Sequence, residues 1–290
     1  MRYLDAATVR ASLPMPAAIA AMRVAFGPDR EVPPRTLLGP SLFMPGRVAG
    51  HAGVKVVSVV PGNPAGVVAV FGPDGGPLGV VDAAALTAIR TGAGCGLMTD
   101  LLASPGATVM AMLGAGAMAA DQVAAVRAVR PIAEVLVWSR TPARAETLAA
   151  AVGGTVVGDA GEAVAAADIV TTATPAHHPL FDDDAVRKGT HVNAIGAFTP
   201  EMVELPAALV HRAFVVVDDV AAAAAEAGDL LKAHRLPDAT AADVIAGTRP
   251  GAGHEVTVFK SVGIASQDVA AAVAALDAAV RLGLGVELAG

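Results

Sequence analysis

Apolar residues follow two different rhythms along this 290-residue chain. From 107 to about 220, short valine-rich runs (ATVMAML, EVLVW, GTVVG, IVTTAT, THVNAIGA, AFVVVDD) alternate with segments of helical spacing such as TPARAETLAAAV and AGEAVAAAD. Runs of that length separated by helices mean βαβ units, which oblige a parallel sheet covered on both faces. The expected fold is therefore α/β, with a Rossmann-type doubly wound parallel sheet. Residues 1–104 read differently: a helical DAATVRASLPMPAAIAAMRVAF, a strand VKVVSVV, a hairpin VVAVFGPDGGPLGVVD turning at PDGG, and a long helix over about 83–103. The final HEVTVFKSVGIASQDVAAAVAALDAAVRLGLG is a strand and a helix with Ser266 and Asp268 at its entrance, too short to stand alone. Its simplest packing is against the N-terminal part. The expected division is a second, α+β domain from residues 1–104 with 255–290, and a Rossmann domain over 105–254.

Composition narrows the class. Although 54% of residues are hydrophobic and only 16% charged, no apolar run reaches the roughly 18 residues of a membrane span without interruption. The opening MRYLDAATVR has Asp5 and Arg10 where a signal peptide would be apolar, so a soluble, cytoplasmic protein is expected. A net charge of -7 with scattered lysines and arginines argues against nucleic acid as a partner. The single cysteine, Cys95 in RTGAGCGLMTDLL, reads as a buried small side chain. No metal site is expected.

The stretch MLGAGAMA places Gly114, Gly116 and Ala119 in a G-x-G-x-x-A pattern between a strand and a helix, with Ala117 and Met118 inside the turn. Dinucleotide binding needs that pattern: a tight turn, a bare backbone beside the pyrophosphate, a small residue for helix packing, and amides at the helix start. About 20 positions on, NAD-binding chains carry a carboxylate for the adenosine ribose. Here the second strand ends in VWSRTPAR, so Ser139, Arg140, Thr141 and Arg144 stand in its place. Guanidinium and hydroxyl groups suit a 2′-phosphate, so NADP(H) is expected over NAD(H), which stays possible.

Three cations interrupt apolar segments of the first part: Arg35 in VPPRTLL, Lys55 in GVKVVSVV and Arg90 in LTAIRTGAG. A buried charge is costly unless paired, and convergence on a substrate carboxylate would give all three a purpose. For a proton donor, VDDVAAAAAEAGDLL offers Asp229, with Asp219 as competitor.

Together these residues resemble the ornithine cyclodeaminase and mu-crystallin family, which includes ketimine reductases and archaeal-type alanine dehydrogenases. The resemblance runs through PPRT, VKVVSVVPGNP, LGVVDAAALTAIRTGAG, LGAGAMA, VWSRT, ADIVTTAT, HVNAIGA, EAGDLL and TVFKSVGIASQD. It implies a homodimer whose second domain carries the dimer contact and the substrate. It also implies that Arg35, Lys55 and Arg90 hold the substrate carboxylate, that Lys55 serves the reacting nitrogen, and that Asp229 rather than Asp219 is the catalytic acid. Thr91, Thr174, Asn193, Ala194 and the KSVG segment correspond to cofactor-cleft positions. Two departures point away from ornithine: PGNPAGVVAVF is short for the family, and LLGPSLFMPGRVAGHAG lacks the acid that cyclodeaminases direct at the substrate amine. The expected activity is NADPH-dependent reduction of a small imino acid, or of an oxo acid with an amine. The alternatives are a cyclodeaminase-type lyase that recycles its NAD and a non-catalytic, NADPH-dependent small-ligand-binding protein.

Overall fold

The computed structural model describes residues 1–60, 65–251 and 253–288; the PGNP of the sequence reading, at 61–64, lies outside the described residues. The chain forms two compact units, Met1–Gly94 with Gly263–Gly290, and Cys95–Val262. The boundaries fall inside the helix Ala83–Leu102 and just after the last strand of the second unit, rather than at 104/105 and 254/255.

The first unit is a mixed sheet with helices against it. Its strands are β1 (Arg2–Leu4), β2 (Arg30–Glu31), β3 (Thr36–Leu38), β4 (Ser41–Val48), β5 (His51–Ser58), β6 (Gly66–Phe71) and β7 (Pro77–Asp82), completed by the terminal strand Val286–Glu287. β4 to β7 form an antiparallel meander, and β1 joins it to the chain's other end, pairing in parallel with β7 and antiparallel with Val286–Glu287. The expected N-terminal helix is broken in two, Ala6–Ser12 and Met15–Ala25, because Pro14 cannot continue the first and instead precedes the second. The alanine-rich helix Ala265–Leu282 packs across β4, β5 and β6. Space for it comes from glycines: a Cβ on Gly46 would sit 2.7 Å from that of Ala265, and one on Gly79 would sit 2.5 Å from a Leu276 methyl. Burial alternates along β6 and β7, with Val68, Val70, Gly79 and Val81 turned inward.

The second unit holds the expected Rossmann-type sheet. Its strands are β8 (Val109–Leu113), β9 (Glu134–Trp138), β10 (Thr155–Val156), β11 (Ile169–Thr172), β12 (His191–Ala194), β13 (Phe214–Val217), β14 (Ala239–Thr240) and β15 (Thr257–Lys260). They lie in the order β10-β9-β8-β11-β12-β15-β13-β14, and every pairing is parallel. Side chains of β8 divide between two cores: Met110 and Met112 pack with the helices Ala119–Arg127 and Pro142–Val152, while Ala111 and Leu113 pack with Ala160–Ala166. That division explains the continuous apolar runs, since both faces are covered. Among the described residues no helix is long and apolar enough to cross a membrane.

Candidate functional site

The glycine turn follows β8 directly. Gly114 has φ +116°, and a Cβ there would lie 2.5 Å from the Ala173 carbonyl oxygen, so only glycine fits. Gly116 is the opposite case: a Cβ would meet nothing within 4 Å, which leaves the backbone open on the side where a pyrophosphate approaches. Ala119, fully buried, starts the helix against the β8–β9 layer. Two adjoining cavities open at the turn and share Gly116, Ala173, Thr174 and Pro175. One, about 170 Å³, is lined by Gly114, Ser139, Arg140, Thr141 and Arg144; the other, about 230 Å³, by Ala117, Met118, Ile195, Gly196 and Phe198. Neither lining includes a carboxylate among the described residues. A dinucleotide fits this chemistry, with an open glycine backbone between a cationic end and an apolar end.

Thr174 thus lies in the cleft, whereas Asn193 and Ala194 lie behind it. Asn193 gives its amide N–H to Thr99 Oγ1 at 3.0 Å, and its Oδ1 lies 3.2 Å from His191 Nε2, whose other ring nitrogen lies 2.8 Å from Thr257 Oγ1. Burial pushes the His191 imidazole down to about 4, against a smaller upward pull from Asn193, so the ring is neutral. The residues following Ala194, Ile195 and Gly196, are the ones that reach the cavity.

A residue not singled out from sequence shapes that cavity. Glu204, fully buried, accepts hydrogen bonds from Thr172 Oγ1 (2.8 Å), from Thr174 N (2.6 Å) and Oγ1 (2.8 Å), and from the N–H groups of Gly196 (2.8 Å) and Ala197 (3.2 Å). Burial pushes this carboxyl up, while Lys260 pulls it back. Donors surround both oxygens, an arrangement that favours the ionised form.

Asp229 belongs to the same buried network. Its Oδ1 accepts from Glu204 N (2.7 Å) and Leu205 N (3.0 Å), and its Oδ2 pairs with Lys260 Nζ at 2.8 Å, both side chains being 0% exposed. Asp229 lines neither cavity of the cleft. Asp219 caps the helix Val220–Glu226 by accepting from Ala222 N.

In the first unit, the three expected cations do come together. Lys55 on β5 and Arg90 on the helix Ala83–Leu102 are only 4% and 5% exposed. Both meet Asp268, from the first turn of Ala265–Leu282: Lys55 Nζ lies 2.8 Å from Oδ2, and Arg90 Nε lies 3.0 Å from Oδ1. Arg90 also reaches Gln267 Oε1 at 3.3 Å, and Arg35 donates to the Gly263 carbonyl at 2.6 Å. Gly263 has φ +79°, and a Cβ there would lie 2.7 Å from Arg90 Nη1, so the KSVG glycine lets the Arg90 guanidinium approach. Asp268 is thus an ionic partner and not a helix cap; Gln267 Oε1 instead takes the Ile264 N–H. Thr91, next to Arg90, is buried in this unit. Burial drives the Lys55 amine down from 10.5 to about 8; Asp268 opposes this, while Arg90 and Arg35 add to it. Burial alone would raise the Asp268 carboxyl, yet Arg90 and Lys55 hold it below its ordinary value.

The model of the ornithine cyclodeaminase/mu-crystallin family matches residues 20–281. The chain is 36% identical over 293 residues to the Delta(1)-pyrroline-2-carboxylate reductase of Bacillus cereus, covering 90% of each protein. It is 36% identical over 217 residues to the ketimine reductase mu-crystallin of Mus musculus, covering 74% of this chain and 69% of that one. Among solved structures, it is similar to Thermococcus litoralis Delta(1)-pyrroline-2-carboxylate reductase in complex with NADH and L-proline (TM-score 0.92, 29% identity, 99% and 100% of the two chains). It is equally similar to an archaeal alanine dehydrogenase dimer with bound NAD (TM-score 0.92, 29% identity, 100% and 99%).

Proposed function

The chain belongs to the ornithine cyclodeaminase/mu-crystallin family, and on that premise we propose that it is an NADP(H)-preferring reductase of a small imino acid, acting at the C=N/CH–NH bond. The observation that carries the proposal is the cluster in which Lys55 and Arg90 share the Asp268 carboxylate while Arg35 is held nearby on the Gly263 carbonyl, a concentration of cationic donors suited to an anionic substrate. Similar proteins with reductase names, and one solved in complex with NADH and L-proline, favour the same chemistry.

When bound, the nicotinamide supplies the hydride. The open backbone at Gly116 and the amides at the start of Ala119–Arg127 would hold its pyrophosphate, with Thr174, Ile195 and Gly196 along the second cavity. Arg35 and Arg90 hold and orient the substrate carboxylate. Lys55, with a proton affinity close to working pH, gives its proton to the substrate nitrogen. Asp229, the acid implied by the resemblance, is given a positioning role, because its oxygens are bonded to Glu204, Leu205 and Lys260. Through Glu204 it secures Thr174 and Gly196 at the cleft.

Arg140 and Arg144 would contact a 2′-phosphate, and among the described residues no lining carboxylate repels it. One assay tests both substrate and cofactor: cyclic imino acids, pyruvate with ammonia or methylamine, and ornithine, each followed at the reduced-nicotinamide absorbance with both cofactors. Oxidation of NADPH on a cyclic imino acid is expected. Ornithine turnover without net cofactor consumption would establish the lyase instead, and NADPH-dependent binding with no turnover would establish a ligand-binding protein. In the same assay Arg140→Asp is expected to raise the KM for NADPH by roughly 10- to 100-fold and to leave that for NADH little changed, a loss of one charge-assisted contact. Equal losses with both would remove the phosphate contact.

We also propose a homodimer. The sheet face of the first unit that turns away from Ala265–Leu282 carries Phe43, Val54, Val56, Val67 and Phe71, all of them half-buried or exposed, and an apolar patch of this kind marks a contact surface. Light scattering at micromolar concentration is expected to give twice the 28.6 kDa chain mass; a monomer would rule the dimer out.

A further inference from the structure

One carboxylate in the cationic cluster has no place in the chemistry above. The Asp268 side chain is 1% exposed and uses its two oxygens separately, Oδ2 on Lys55 and Oδ1 on Arg90. These groups come from three elements: β5, the helix Ala83–Leu102 and the helix Ala265–Leu282. The charged groups that face Asp268 and Lys55 are Arg90 and, farther off, Arg35; Gln267, beside them, is neutral. Without the carboxylate, Lys55 and Arg90 would be buried like charges in a low-dielectric setting, where repulsion would displace the flexible ammonium or strip its proton. With it, Lys55 is ion-paired to one carboxylate oxygen and Arg90 is held at Nε by the other, with Nη1 on Gln267 Oε1, and the donors that remain on the ammonium and the guanidinium are the ones on offer. Asp268 also sits in the first turn of an 18-residue helix, where the helix dipole favours a negative charge.

We propose that Asp268 is a positioning residue for the reaction: its bridging carboxylate aims the remaining N–H groups of Lys55 and Arg90 at a single substrate anion and keeps the Lys55 proton in place until the substrate nitrogen takes it. The proposal rests on the imino-acid reductase reading of the same cluster. Asp268 touches neither substrate nor cofactor in this role; it acts through its two partners. Removal of its charge leaves the burial of Lys55 and the repulsion from Arg90 and Arg35 unopposed, so the ammonium loses its proton at lower pH.

Asp268→Asn keeps the side chain's shape and tests this in the full-length protein with its nicotinamide. Reduction needs protonated Lys55, so activity is present below its pKa and lost as pH rises through it. The alkaline limb of the kcat/KM profile is expected to move down by about one pH unit or more; a one-unit move is about a tenfold loss on the alkaline side of the wild-type limb and about twofold at neutral pH. A lower rate at every pH with an unmoved limb would overturn the proposal, since that is what a purely structural role predicts. A second measurement does not depend on turnover: an NMR titration of the Lys55 Nζ signal in both proteins. If its midpoint falls in Asp268→Asn while neither protein reduces any imino acid, the reductase reading fails and the control of Lys55 by Asp268 stands. An unchanged midpoint overturns the proposal whatever the activity. If the asparagine variant does not fold, Asp268→Ala with added formate replaces it. Formate entering the vacated space is expected to restore both rate and limb, and absence of rescue counts against the carboxylate.

Discussion

Lys55→Met is expected to abolish most imino-acid reduction while making the folded protein more stable at neutral pH. The loss follows from removal of the proton donor, an effect of roughly 10²- to 10⁴-fold on kcat/KM. The gain follows from linkage. The Lys55 amine titrates near 8 in the folded chain against an ordinary 10.5, so between those values the unfolded chain binds the proton and the folded chain does not. Stability therefore rises with pH across that window, and below it the folded state carries the full penalty, on the order of 3 kcal/mol. Methionine has a similar reach and no charge, and Asp268 keeps Arg90 as its partner. Urea unfolding of both proteins from pH 7 to 10.5 measures the difference directly. The wild-type chain is expected to gain stability relative to the variant as pH rises. Parallel curves would mean that Lys55 carries no such penalty, and the poised proton donor would be lost with it.

Much of the second unit was legible because a doubly wound sheet leaves a strong imprint. Apolar runs from β8 to β13, a glycine turn after β8 and VWSRT after β9 are local patterns, and local patterns survive in sequence. β4 was not legible as a strand because Pro45 and Gly46 interrupt it, and both make sense only in three dimensions. β3 pairs with residues 41–43 and β2 with residues 47 and 48, so the missing N–H of Pro45 falls in the gap between them. Gly46 is bare because Ala265 passes over it.

The cationic cluster shows the same limit. A lysine or arginine inside an apolar segment is a good sign of a buried charge, and for Lys55 and Arg90 that inference leads to a common site. The same sign describes Arg130 and Lys260, which do other work. Arg130 donates to the carbonyls of Thr99, Asp100 and Ala103 and thereby closes the C-terminal end of Ala83–Leu102, while Lys260 meets Asp229. Asp268 stood at a helix entrance, where capping is the ordinary explanation, and its partner Arg90 is 178 positions away. Neither Glu204 nor Lys260 lies in a pattern that announces a carboxylate-lysine network; each is defined by partners brought together only by the parallel sheet and its loops.

That network gives the second large effect. Asp229→Asn alone is expected to lose activity and to cost about 3–5 kcal/mol of stability, because it breaks a fully buried ion pair and leaves the Lys260 ammonium without its direct partner, with only the more distant Glu204 carboxylate to act on it. Inactivity of the single variant therefore cannot distinguish a proton donor from a structural anchor. The double variant Asp229→Asn with Lys260→Gln can. Asparagine keeps an oxygen for the N–H groups of Glu204 and Leu205, and its amide can donate to the glutamine oxygen where the ion pair stood, so the pair becomes neutral and hydrogen-bonded. Thermal unfolding is expected to recover most of the lost stability. If Asp229 acts by holding Glu204, and through it Thr174 and Gly196, turnover is expected to return to within about tenfold of wild type, since no proton-transfer step has been removed. If Asp229 is the acid implied by the family resemblance, the double variant stays folded and remains about 10²- to 10⁴-fold impaired, because an amide cannot give up the proton. Recovered stability without recovered turnover would move the proton from Lys55 to Asp229. The buried pair with Lys260 would then be the resting state of a catalytic carboxyl.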